Sequence, residues 1–428
     1  MARHQHPWTR RAFLQSGLTV MSTAALLPAF LQSSAYGIND PRLGESVGNR
    51  PGIPDDRILV VIQLGGGNDG LNTIIPHGDE AYYRARGPLA LRAENTLKLA
   101  EVDGFGLHPA MTGLMDLWGD GKLALIQGVG YPNPNRSHFK SMDIWHTADP
   151  EAGQGAGWLG RYMDNACAGN PQADLCVAIG EQAPLATQGM TVQPIAFQNA
   201  ELFRWSGSEL HPDVAKTYDQ INRMGAAGQF DEETPADFLV KTSLDAQLSS
   251  EKIRQAAAAQ PLVTYPNSRL ANDLKLIGAM IRAGLPTRVY YANMGGYDTH
   301  AGQLGRHNQL LRQYSDAVTA FYKDIKAQDN ASRVCIVTFS EFGRRVRPNA
   351  SAGTDHGTAA PMFVIGDMLK GGAYGAHPSL TELDRTGDMI YNTDFRSVYA
   401  SVLEQWMQAD SKKILRGEFN QLPIFAKG

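Results

Sequence analysis

Carboxylates, imidazoles and a hydroxyl gather in five short clusters of this 428-residue chain: Asp69; Arg136-Ser137-His138; Asp298 and His300; Glu341; and Asp355-His356. Asp and His are common ligands of divalent cations, and carboxylate–imidazole sets suit hard to borderline ions. A hydroxyl beside such an ion becomes a nucleophile. One cluster alone says little, because a carboxylate after a strand is more often a cap than a ligand. Together the five supply donors for one or two cations (zinc, magnesium, manganese or calcium) and an activated oxygen.

Those clusters need a scaffold that brings distant segments to one rim. Near-continuous apolar runs predict buried strands at 57–64, 123–130, 288–294, 334–339 and 362–365, with a shorter one at 177–180, and 57–64 reads as a central parallel strand. Helical spacing marks 107–118, a helix starting near His138, one at Trp158, 238–259, a helix capped near Asn267 or Ser268 and running to Ile281, 303–327, and a C-terminal helix from Asp394 through Trp406. The alternation predicts an α/β fold, a doubly wound, mainly parallel sheet with helices on both faces. In such sheets ligands sit at the carboxyl ends of the strands. Asp69, Asp298 and Glu341 all follow strands, and Asp355-His356 precedes one.

Gly65, Gly67 and Gly70 satisfy G-x-G-x-x-G. A dinucleotide loop would need a long helix next, and Pro76 interrupts. A tight turn that presents Asp69 is the better expectation. Ser137 stands where α-helical spacing begins, so it is either an N-cap or a nucleophile at an anion-favouring helix N-terminus. His307, inside the 303–327 helix, is expected to be a surface or satisfied histidine.

The N-terminus carries Arg10-Arg11 before an apolar stretch, Ser16 to Leu31, and a small-residue site at Ser33-Ser34-Ala35. That is the pattern of a twin-arginine signal peptide over 1–35, which implies the twin-arginine export machinery as a partner and a periplasmic or extracellular address. A linker (36–56) and one large domain (57–428) follow, with an insertion or lid at 182–237. No later stretch is long enough to span a bilayer. The net charge is −4; losing residues 1–35 removes three arginines and no acids, leaving −7. No basic stripe supports nucleic-acid binding. An oxidising compartment would permit Cys167 and Cys176 to pair, whereas Cys335 lies within a strand.

LGGGNDGLNTIIP, YPNPNRSHF, GGYDTH and TFSEFGRR…GTDHGTAAPMFVIG together resemble a bacterial exported family known as domain of unknown function 1501. By fold that family is placed with the alkaline phosphatase and sulfatase superfamily. The resemblance implies a carboxylate after the first strand (Asp69), a nucleophile opening a helix (Ser137), metal ligands at Asp298, His300 and His356, and a small-molecule ester substrate. One departure stands out: Ser340-Glu341 occupies the place of an Asp-His pair. Glu341 could replace the Asp, and His138 the missing His. The expected activity is hydrolysis of a phosphate or sulfate ester, with Arg136 or Arg344 neutralising the oxyanion. The alternative is a non-catalytic periplasmic binding or assembly protein that keeps the fold.

Overall fold

A computed structural model describes residues 56–151, 155–166, 173–200 and 250–426. The twin-arginine segment and Cys167 lie outside them. Residues 42–198 and 255–428 form one compact unit. Residues 199–254 belong to a second, of which Asn199, Ala200 and the helical 250–254 are described. Most of the expected insertion, 201–237, lies outside the described residues.

The main unit is built on a nine-stranded sheet. Its principal strands are β1 (Ile58–Leu64), β5 (Leu123–Gly130), β6 (Cys176–Ile179), β7 (Ile195–Phe197), β8 (Val289–Met294), β9 (Val334–Phe339) and β10 (Ala360–Gly366). β11 (Gly372–Tyr374) and β12 (Thr393–Asp394) flank β5. Small strands β2 (Ile74–Ile75), β3 (Leu97–Lys98) and β4 (Gly106–Leu107) make a separate sheet. The main order is β11-β5-β10-β9-β1-β8-β6-β7. β1 pairs in parallel with β8 on one side and β9 on the other.

β10 alone runs against its neighbours β9 and β5. The connection from β9 explains it. A parallel return needs a crossover, usually a helix. Here residues 343–358 instead fold as a narrow ribbon in which Arg344 pairs with His356. The chain therefore comes straight back beside β9, and β10 starts at the end of the sheet where β9 stops.

Helices cover both faces, which is why every residue of β1 is buried and apolar apart from Gln63. Successive strand residues face opposite sides. Leu59, Val61, Val337 and Phe339 pack with Trp145 of α3 (His138–Thr147), Trp158 of α4 (Trp158–Ala166) and Tyr399 of α7 (Phe395–Ser401). On the other face, Thr338 accepts a hydrogen bond from Tyr314 of α6 (Gln303–Ala327) at 2.8 Å. Helices α2 (Thr112–Gly119) and α5 (Arg269–Arg282) pack on α6, and α1 (Glu80–Arg86) follows β2. Cys176 and Cys335 are both buried, and burial pushes both thiols up. No helix among the described residues is long and apolar enough to cross a membrane.

Candidate metal centre at the strand ends

β1, β5, β8 and β9 all end at the same side of the sheet, and β10 begins there. The turn after β1 is the tightest part. Gly66 has φ +119°, and a Cβ there would lie 2.4 Å from the amide nitrogen of Asp298. A Cβ on Gly67 (φ +79°) would meet the Phe342 ring at the same distance. Glycine is therefore required for the β1, β8 and β9 loops to stack. A three-residue 3-10 turn, Gly70–Asn72, and then β2 follow. With no long helix after it, the glycine run has no dinucleotide context.

Loops after β8 and β9, the ribbon and the start of α3 converge on Asp298. His300 Nε2 lies 3.0 Å and His356 Nε2 3.1 Å from Asp298 Oδ1. The two nitrogens are 2.9 Å apart. His138 Nε2 stands 3.5 Å from Asp298 Oδ2. Ligand atoms of His138, Asp298 and His356 all fall within 4.8 Å of one another.

The far nitrogen of each ring faces an oxygen. His356 Nδ1 is 2.8 Å from the Arg136 carbonyl, His300 Nδ1 3.1 Å from Asp355 Oδ1, and His138 Nδ1 2.8 Å from Glu341 Oε1. An oxygen acceptor fixes the hydrogen on the nitrogen it faces. In neutral rings, all three Nε2 atoms then carry lone pairs directed at Asp298, and those of His300 and His356 also face each other. His138 Nε2 is buried with no hydrogen-bond partner among the described residues. Such a set repels itself unless protons or a cation lie between its members. The donors thus fit a divalent metal by type, spacing and orientation.

Electrostatics follow the same layout. Burial raises the Asp298 carboxyl, but the hydrogen bond and charge of Arg344, the hydrogen bond a protonated His356 donates and the charge of a protonated His300 outweigh it, to about 2. The hydrogen bond to Glu341 raises His138. Burial lowers His356, helped by the charges of Arg344 and His138, against the pull of the Arg136 carbonyl and Asp298. Phe342, buried, packs its ring 5.0 Å from His138 and 4.7 Å from His356 and walls off that side.

Of the expected ligands, Asp298, His300 and His356 come together, and His138 joins them. Glu341 is spent on support. Its Oε1 accepts from the Gly66 amide and His138, its Oε2 from Ser340. Asp69 is held in a different network. Its Oδ1 caps the 3-10 turn through Leu71 N at 3.2 Å, and its Oδ2 accepts from the buried Arg86 and from Gln303 Nε2. The tight turn forms as expected but delivers Asp69 to that ion pair, because Arg86 supplies the compensating charge.

Ser137 is the N-cap residue of α3, with extended backbone (φ −81°, ψ 126°), but its hydroxyl makes no capping bond. It is exposed at the rim. Neither arginine considered for the oxyanion is available. Arg136 is tied to Asp388, with Nε 2.8 Å from Oδ2. Arg344, fully buried, donates to the carbonyls of Gly66, Gly67, Tyr297 and Thr354 and to Asp298 Oδ1 at 2.6 Å. Its role as the clasp of three loops left no signal in the sequence beyond an arginine after Gly343. His307 is buried, not superficial: its Nε2 lies 2.9 Å from Asn68 Oδ1, and burial pushes it to about 3.

Residues 56–415 match the family described as "Protein of unknown function (DUF1501)", and the chain belongs to that family. No curated protein matches it in sequence. Among solved structures it is similar to the lipoteichoic acid synthase LtaP from Listeria monocytogenes (7% identity, 88% of this chain and 79% of that one, TM-score 0.39). It is also similar to a Pseudoalteromonas sp. sulfatase, PsFucS1 (8%, 92% and 75%, 0.37). A third is a protein in the alkaline phosphatase superfamily from Vibrio parahaemolyticus (9%, 91% and 76%, 0.35). At these scores the likeness says nothing of chemistry.

Proposed function

We propose that this protein is an exported, metal-dependent hydrolase of phosphate or sulfate esters. One observation carries the reading: three imidazoles, each with its outer nitrogen turned to an oxygen, aim their inner nitrogens at Asp298, those of His300 and His356 also meeting each other. His138, His300, His356 and Asp298 would hold the ion. A divalent cation there supplies Lewis acidity, drawing charge from the ester oxygens and acidifying a hydroxyl or water beside it.

The chain's own residues do the rest. Glu341, Asp355 and the Arg136 carbonyl orient the imidazoles and raise their basicity. Phe342 keeps water off one side. Ser137 offers an uncommitted hydroxyl at the N-terminus of α3, where backbone N–H groups favour an anion. That placement and the motif resemblance support the choice of ester. With both guanidiniums engaged, a bound cation would supply the charge that neutralises the oxyanion. Arg10-Arg11 supports export by the twin-arginine route.

The test is direct. Purified protein would be assayed for metal content and for hydrolysis of 4-nitrophenyl phosphate, its bis-ester and 4-nitrophenyl sulfate, before and after chelation and metal return. Activity that follows the metal supports the reading. A protein that binds no metal and cleaves none of these esters defeats it.

A non-catalytic binding role has one specific support: Arg344 rests on Asp298, and Glu341 is fully engaged, so no second cation has a donor set among the described residues. A metal-loaded protein whose Ser137→Ala variant keeps full function in the cell would favour it.

A further inference from the structure

We propose that Asp388, remote from the centre in sequence, is a positioning residue for it and acts through Arg136; this rests on the metal-site reading above. Asp388 is fully buried. It sits in a tight hairpin in which Leu383 pairs with Met389, Asp384 N donates to Asp388 O at 2.8 Å, and Asp388 N donates to Asp384 Oδ1 at 2.9 Å. These bonds close the turn on itself. Its carboxylate takes the Arg136 guanidinium by Nε at 2.8 Å and by Nη2, and Nη2 also donates to Thr386.

This grip fixes more than a side chain. Arg136 lies in the loop between β5 and α3, and its carbonyl is the acceptor that locks His356 Nδ1. Asp388 therefore sets where that carbonyl stands, and the carbonyl decides which nitrogen of His356 faces the ion. The hairpin also holds the ribbon on which His356 rides. Thr358 Oγ1 donates to the Met389 carbonyl, and Arg345 Nη1 to the Thr386 carbonyl at 3.3 Å. Two segments that carry donors are thus tied to one hairpin: 136–138 through its buried carboxylate, and the ribbon through its backbone carbonyls. A fully buried charge is costly unless paired. Placing one here suits a latch whose partner has a single allowed position.

Two variants test the idea, Asp388→Asn and Arg136→Gln, with Asp388→Glu as the conservative control. Zinc affinity would be measured by chelator competition, and ring placement by the visible spectrum of the cobalt(II)-loaded protein. Outer partners of metal-bound histidines are worth 10–100-fold in metal affinity. Both variants should lose about tenfold or more and shift the cobalt bands, the double variant should be no worse than the poorer single one, and Asp388→Glu should recover part of the loss. Arg136 is partly exposed, so Arg136→Gln tests the latch even if Asp388→Asn fails to fold. Affinity within twofold of the parent and an unchanged cobalt spectrum in Arg136→Gln overturn the latch alone. A parent protein that binds neither ion overturns the latch together with the reading beneath it.

Discussion

Glu341 stands behind His138 rather than beside it. Its Oε1 takes the Nδ1 hydrogen at 2.8 Å and leaves Nε2 facing Asp298. The carboxylate is an orienter of a ligand, and the ligand is the histidine. In Glu341→Gln the ring loses its charged partner and becomes a weaker base. Metal affinity should fall about 10–100-fold, read by chelator competition. An affinity equal to the parent's would return Glu341 to a purely structural role.

Asp69 should behave in the opposite way. Its partners are Arg86 and Gln303, so Asp69→Asn leaves a guanidinium buried without its charge. Breaking one side of a buried pair costs about 3–5 kcal/mol. Urea unfolding should show that loss while one metal ion per folded chain is retained. Loss of metal without loss of stability would make Asp69 a ligand after all.

Gly66→Ala tests the stacking of the loops. Its φ of +119° disfavours a side chain, and the new methyl would press on Asp298 N at 2.4 Å. A strained backbone position costs about 1–3 kcal/mol. The midpoint of thermal unfolding should drop, and metal binding should weaken with it because Asp298 must shift.

Acid should unfold the protein by a route separate from the centre. Burial pushes His108 and His146 down to about 4 and His307 to about 3. A histidine lowered on folding is neutral in the native chain and takes a proton when unfolded below about 6.5. Stability is therefore full above that value and falls as the pH drops toward 4. His146→Gln removes one such site and should shrink the loss between pH 7 and pH 5 by up to about 2 kcal/mol. Denaturant titrations at the two pH values check this; an unchanged difference would refute it.

Metal binding should also appear as stability. At a free ion concentration 100 times its Kd, a site present only in the folded state adds about 2.7 kcal/mol. Chelation should remove that increment from the parent and leave His356→Ala unmoved. A chelator shift of equal size in both would place the ion elsewhere.

The strands were legible because both faces of the sheet are covered. That makes β1, β5 and β9 read as near-continuous apolar runs, each broken by one polar residue (Gln63, Gln127, Thr338), and a run of buried residues leaves its mark on the sequence whatever surrounds it. That Asp298, His300 and His356 would meet was legible because they flank strands that end or begin on one side of the sheet. The sense of β10 was not, since nothing in 343–358 spells a ribbon rather than a crossover. The destinations of Asp69, Glu341 and Arg344 were equally hidden. A carboxylate looks the same whether it meets a cation, a guanidinium or a ring N–H, and its choice depends on Arg86, His138 and the loop carbonyls, which are far away in the chain.

The donors come from the start of α3, the loop after β8 and the ribbon, and even His356 and Asp298 are 58 residues apart. No short stretch of the chain holds all four. Contacts so distant form late, after the sheet that joins them. Metal loading would then double as a gauge of completed assembly: a half-built chain stays empty, and only a finished one can carry its ion onward.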